Sequence, residues 1–87
     1  MSELTTSVVG NGLQRAFSFG EKSVGLTFNP SGDANVNQIK SLYAQIIDIC
    51  NNLRNGDSTP EKSRLLSVAI TEAQGAQMWA VKGITWK

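Results

Sequence analysis

Residues 34–60 read ANVNQIKSLYAQIIDICNNLRNGDSTP, and this stretch decides the fold because it contains one amphipathic helix and the turn that ends it. Its apolar side chains recur with a heptad spacing, at Val36, Ile39, Tyr43, Ile46, Cys50 and Leu53, with Leu42 and Ile47 widening the stripe. Residues at this spacing share one face of a helix. The pattern predicts a helix from Ala34 to Arg54 with Ser31 or Asp33 as its N-cap.

The connection after this helix introduces a second one. Asn55 and Gly56 suit a helix end in the left-handed conformation, whereas Thr59 and Pro60 suit the N-cap and first position of a new helix. We expect that helix to reach about Thr85, antiparallel to the first because the connection is short. The predicted fold class is mainly α, with a short N-terminal extended segment followed by an antiparallel two-helix hairpin.

The second helix is apolar over most of its circumference. A seam of mostly small residues, which allows close approach of another helix, consists of Leu66, Ala69, Ala73, Ala76, Ala80 and Gly83. Larger apolar residues lie elsewhere on it, at Leu65, Val68, Ile70, Met78, Trp79, Val81 and Ile84. One partner helix cannot cover such a surface. We therefore expect the hairpin to oligomerise through its apolar faces, with Trp79 and Trp86 as core and interface residues.

The residues before the hairpin lack a helical pattern. The first nineteen show no sustained period, which predicts a flexible N-terminal arm over residues 1–19 and a helical-hairpin domain over residues 20–87. Between Ser23 and Phe28 apolar residues alternate with small or polar ones. This alternation is typical of a short strand or extended segment.

Length and charge restrict the classes of function. The chain has 87 residues, enough for one small domain that buries only about 60–65% of its extended surface, so oligomerisation is a natural supplement to its core. Eight basic and seven acidic residues give a net charge of +1. This balance argues against binding to duplex DNA, which depends on clustered cations. A small anionic ligand needs only two or three local cations and remains possible.

The reactive residues argue against catalysis. The chain has no histidine and a single cysteine, Cys50, which removes the usual general base, the commonest metal ligand and any internal disulfide. No base is placed to activate a serine or threonine, and no glycine loop ends in Lys-Ser or Lys-Thr. We expect that the protein is not an enzyme and that it binds no metal and no cofactor. Neither a signal peptide nor a run of about 18 apolar residues is evident, which favours a reducing cytoplasm.

The segment Phe28-Asn29-Pro30-Ser31-Gly32-Asp33 is the strongest candidate for a ligand site. A helix start offers backbone N–H groups and the positive end of the helix dipole, and here an aromatic precedes it and Lys40 follows it. An aromatic ring, free backbone N–H groups and a cation are the parts needed to bind a nucleotide. The alternative is a plain turn before a helix, with Lys40 as a solvated surface residue.

Two residues of the second helix are weaker candidates. Arg64 lies in its first turn, where the helix dipole disfavours a cation, which indicates an external anion or a carboxylate from another subunit. Thr71 is flanked by apolar residues. Its hydroxyl either bonds back to the helix or donates to a ligand.

Beyond these patterns, the chain resembles a known family over Gly20 to Lys87. The similar stretches are GEKSVGLTFNPSGD, VNQIKSLYAQIID and RLLSVAITEAQGAQMWAVKGITWK. They resemble the small bacteriophage anti-CBASS sponge proteins, whose helical-hairpin domain is shared with the Thoeris anti-defence sponges. The most specific parts are Phe28 to Gly32, the Ile39-Lys40 pair, and the pattern Arg64, Ser67, Thr71, Met78, Val81 and Lys82.

The resemblance implies a function and a set of site residues. Proteins of that family are compact hexamers, trimers of dimers, that bind cyclic oligonucleotides without cleaving them. Cyclic dinucleotides would sit between paired subunits, at Phe28, Asn29, Pro30, Ser31, Gly32 and Lys40. Cyclic trinucleotides would occupy separate sites on the three-fold axes, with Arg64 and Thr71 as the best candidates. In some members that this chain resembles, the position of Phe28 is a tyrosine.

The implied role is sequestration of an alarm signal in the cytoplasm of a host bacterium, so that an immune effector stays inactive. The main alternative is an oligomeric helical hairpin that binds another protein, in which the Asn-Pro-Ser-Gly turn is purely structural. A third possibility, an accessory protein that binds nucleic acid, is disfavoured by the nearly neutral charge.

Overall fold

A computed structural model describes residues 16–87, which form three helices and no strand. Helix α1 spans Phe19–Val24, α2 spans Ala34–Asn55 and α3 spans Pro60–Ile84. The two long helices pack along each other as an antiparallel hairpin, and α1 packs mainly on α2. The prediction of a mainly α hairpin is confirmed. The predicted arm lies outside the described residues as far as residue 15, while Ser18 and Phe19 already belong to the start of α1.

The strand predicted between Ser23 and Phe28 is wrong, because α1 occupies its beginning and a turn its end. Ser18 and Glu21 form a capping box, in which each side chain accepts a hydrogen bond from the other residue's backbone N–H. Gly25 ends the helix with a φ of 62°, a left-handed conformation that glycine adopts without strain. The Ser-x-x-Glu signal was therefore more informative than the alternation that follows it.

The structure shows which residues cap the two long helices. Asp33 is the N-cap of α2, since its side chain accepts a hydrogen bond from the N–H of Asn35 at 2.8 Å. Thr59 caps α3 with Pro60 at its first position, as predicted. The expected left-handed residue at Gly56 is wrong: its φ is −93° and its N–H bonds to the carbonyl of Leu53.

The core of the described residues is small. Its buried apolar side chains are Val24, Val36, Ala44, Ile47 and Ile70. Of the stripe predicted on α2, Val36 and Ile47 are buried, whereas Ile46 and Leu53 are each about half exposed. Apolar spacing alone does not distinguish residues that face the other helix of the same chain from residues that face another subunit.

A large apolar surface remains uncovered on this single chain. More than a third of the residue surface is exposed for each of Phe17, Phe19, Phe28, Leu42, Ile46, Ile49, Leu53, Leu65, Val68, Met78, Trp79 and Trp86. Four of these, from Leu42 to Leu53, follow one side of α2. The two tryptophans are not core residues of the chain itself. Contiguous apolar surface of this kind is typical of protein interfaces. None of the helices in residues 16–87 has the length and apolar character needed to cross a membrane.

Gly20 lies where the backbone of α1 comes close to α2. Its N–H donates to the Asp48 carboxylate at 2.7 Å, and a Cβ at this position would lie 2.0 Å from the carbonyl oxygen of Ala44. We expect Gly20→Ala to lower the free energy of unfolding by about 1–3 kcal/mol, because backbone must move to admit the methyl group. Chemical denaturation measures this effect.

The matched control for Gly20 is Gly75, a glycine inside α3 whose added Cβ would meet no atom within 4 Å. Gly75→Ala should leave the chain as stable or raise its stability by up to about 1 kcal/mol, because alanine favours a helix interior. Equal stability of the Gly20→Ala variant and the wild type would contradict the close approach of the two helices.

Candidate functional site

A pocket of about 280 Å³ lies at the end of the hairpin where α2 begins and α3 finishes. It is lined by Phe28, Asn29, Pro30, Ser31, Val36, Lys40, Val81 and Thr85. We call residues 25–33, which connect α1 to α2, the pocket loop. Five of the six residues predicted to bind a cyclic dinucleotide thus come together in one place, and Gly32 is the one outside the lining.

Lys40 is buried, with 4% of its surface exposed, although it carries a cationic group. Its ammonium donates hydrogen bonds to the carbonyl oxygens of Phe28 and, at 3.0 Å, of Gly25. The alternative of a solvated surface lysine is therefore wrong. An ammonium carries three hydrogens, and these bonds engage two of them. Lys40 both holds the pocket loop and supplies the cation among the lining residues.

Phe28 presents its aromatic ring at the pocket mouth, with 70% of the residue exposed. The centre of this ring lies 5.4 Å from Nζ of Lys40, within the range of a cation–π contact. An exposed ring that packs so little on its own chain contributes little to folding. It is, however, well placed to stack on a planar ligand such as a nucleobase.

Two backbone N–H groups of the pocket loop are bonded within the loop itself. The N–H of Gly32 donates to the carbonyl of Asn29 at 3.1 Å, and the N–H of Asp33 donates to Oγ of Ser31 at 3.1 Å. The Asp33 carboxylate accepts from Asn35 and adds a negative charge at the same point. This carboxylate disfavours an anion at the helix start, whereas Lys40 supplies a cation among the lining residues.

Val81 and Thr85 line the pocket from α3, and sequence reasoning did not assign them to it. Thr85 donates its hydroxyl hydrogen to the carbonyl of Val81 at 2.8 Å, within its own helix. Val81 and Val36 contribute apolar surface from opposite helices. The predicted topology could have assigned them, because an antiparallel hairpin places the end of the second helix beside the start of the first.

The structure leaves Arg64 and Thr71 apart from this pocket, exposed on the surface of α3. Arg64 donates from Nε and Nη2 to the two carboxylate oxygens of Glu61, at 3.0 and 2.6 Å. Sequence reasoning considered only partners outside the chain, whereas the carboxylate three residues earlier already compensates this cation. Because residues seven apart share a helix face, Arg64 and Thr71 still lie on one side of α3.

We expect the exposed Glu61–Arg64 pair to make a small contribution to the pH dependence of stability. The hydrogen bond from Arg64 lowers the pKa of the Glu61 carboxyl group below its usual 4.5. A lowered pKa in the folded state stabilises the fold above the unfolded-state value, and this contribution is lost as pH falls through the folded-state value. Glu61→Gln should therefore reduce the difference in melting temperature between pH 7 and pH 3. An unchanged difference would show that the pair contributes nothing to stability.

Comparison with known proteins gives one match. A model of the Acb2/Tad1 hairpin domain matches residues 21–85, a range that includes all the residues lining the pocket. No curated protein matches the chain. No solved structure matches it either. Among the described residues, no group of three or more histidine, cysteine or carboxylate side chains could hold a metal ion.

Proposed function

Because the chain belongs to the Acb2/Tad1 hairpin-domain family of anti-CBASS and Thoeris anti-defence sponges, we propose that it sequesters cyclic oligonucleotide second messengers without cleaving them. The family is one of binding domains rather than enzymes. The observation that carries the proposal is the pocket in which the exposed ring of Phe28 lies 5.4 Å from the buried ammonium of Lys40. A base and a phosphate are the complementary groups.

The pocket on one chain is half of the proposed site. Its volume of about 280 Å³ is at the lower limit for small-molecule pockets, which range over about 300–1,000 Å³. A cyclic dinucleotide has two bases and two phosphates in a nearly two-fold arrangement. A two-fold interface that presents Phe28 and Lys40 twice therefore matches it with one residue of each kind per chain.

The uncovered apolar surface supports an assembly of this kind. The side of α2 from Leu42 to Leu53 and the exposed tryptophans of α3 need partners that the single chain does not supply. A homohexamer built as a trimer of dimers would provide both the paired pockets and the covering surface. It would act in the cytoplasm of the host bacterium, where the messenger is made.

Cyclic trinucleotides are the second proposed ligand class, at a separate site with Arg64 and Thr71. Both residues are exposed on one face of α3, so neighbouring copies can bring them together around an axis. A phosphate there competes with Glu61 for the guanidinium of Arg64. Binding at this site should accordingly be sensitive to salt.

The test is a titration of the full chain against a panel of cyclic dinucleotides and trinucleotides, combined with the mass of the assembly. We expect one cyclic dinucleotide for every two chains and a mass of six chains. A stable lone monomer would contradict the paired pocket. An oligomer that takes up no cyclic nucleotide would favour the alternative, an adaptor that binds another protein through its exposed apolar surface.

A further inference from the structure

Asn37 lies one turn into α2, outside the pocket lining, and its side chain contacts the pocket loop. Its Oδ1 accepts a hydrogen bond from Nδ2 of Asn29 at 3.0 Å. The same Nδ2 donates to the backbone carbonyl of Asp33 at 2.9 Å. An amide nitrogen carries two hydrogens, so both are engaged within the protein.

Ser31 completes this network inside the loop. Its Oγ donates to Oδ1 of Asn29 at 2.7 Å and accepts from the N–H of Asp33 at 3.1 Å. The side-chain donors of Asn29 and Ser31 are therefore already bonded to neighbouring residues, although the sequence pattern assigned both to ligand binding. Asn29 and Ser31 line the pocket, and their side-chain hydrogen bonds fix the shape of the loop.

We propose that Asn37 and Asn29 are positioning residues of the ligand site, an inference that rests on the proposed function. The loop is attached to α2 at two points, through Asn37 and, three residues later, through Lys40. Two attachments to one rigid helix fix where the Phe28 ring lies relative to the ammonium. A loop ordered before the ligand arrives loses less conformational entropy on binding.

The experiment compares the full-length wild type with Asn37→Ala and Asn37→Asp, using cyclic di-AMP, cyclic di-GMP and cyclic GMP–AMP as probes. Asn37→Ala should weaken binding about tenfold, as expected for the loss of an ordinary hydrogen bond in each of two loops. It should also speed amide hydrogen exchange at Gly32 and Asp33 in the free protein. Asn37→Asp keeps the acceptor oxygen and should restore the slow amide exchange; its added negative charge disfavours an anionic ligand, so exchange and not affinity is its readout.

A double substitution separates positioning from direct contact. If the two asparagines act through one bond, Asn29→Ala with Asn37→Ala should bind no more weakly than Asn29→Ala alone. Suppose that the wild type binds a probe. Additive losses in the double variant, or an Asn37→Ala variant that binds as tightly as the wild type, would then overturn this inference and leave the proposed function standing. A wild type that takes up none of the probes would instead overturn the proposed function, and the inference with it.

Discussion

Phe28→Ala should weaken the binding of a cyclic dinucleotide by about 30-fold to 10⁴-fold, because stacking on an aromatic ring contributes about 1–3 kcal/mol per base and the paired pocket holds two bases. The ring is 70% exposed and is not part of the core. We therefore expect the free energy of unfolding to change by less than about 0.5 kcal/mol. Isothermal titration and chemical denaturation measure the two quantities.

Two further substitutions at Phe28 serve as matched controls. Phe28→Tyr keeps the aromatic face and should bind nearly as well as the wild type. Phe28→Leu keeps apolar bulk without the aromatic face and should lose most of the affinity. Binding of Phe28→Ala at wild-type strength would show that this ring does not stack on the ligand.

Lys40→Ala should lower the free energy of unfolding by about 2–4 kcal/mol, because it removes a buried side chain and the donor to the carbonyls of Gly25 and Phe28. Ligand binding should be lost as well. This variant alone cannot separate the two roles of the lysine, since a loop without its anchor and a pocket without its cation both bind poorly.

Lys40→Met is the variant that separates them. It preserves most of the buried volume, so the chain should remain folded at room temperature with a smaller loss of stability. Each charge-assisted hydrogen bond contributes about 1.5–3 kcal/mol, and two lysines per ligand predict a loss of at least about 10²-fold in affinity. Binding is to be measured where denaturation shows the variant folded. Undiminished affinity would mean that the ammonium only holds the pocket loop.

The helical hairpin could be predicted because its signals are local. The apolar spacing of α2 and the Thr59-Pro60 start of α3 are properties of short stretches, and both were read correctly. The strand before α2 was wrong because an alternation of a few residues is weaker than the capping box at Ser18 and Glu21. The spacing did not show that Ile46 and Leu53 would be about half exposed on the single chain, because spacing does not identify the partner that a side chain meets.

The residues that the pocket loop and Lys40 contribute to the pocket were predictable, whereas the residues from α3 and the hydrogen bonds were not. The order of residues from Phe28 to Lys40 placed them near one helix start, and the structure brings them into one pocket with that lysine. Burial of Lys40 could not be foreseen, since its partners are backbone carbonyls 12 and 15 residues earlier. The contribution of Asn37 is hidden for the same reason, because the bond to Asn29 depends on the folded shape of the loop.

Uptake and recovery of a cyclic dinucleotide test the central claim most directly. The purified full-length chain is incubated with less than half a molar equivalent of ligand per chain, the protein is removed by filtration, and the retained ligand is released by heat and identified by mass. We expect the free ligand to disappear from the filtrate and to return intact from the heated protein. Recovery of linear products would indicate a nuclease, and ligand left entirely in the filtrate would contradict sequestration.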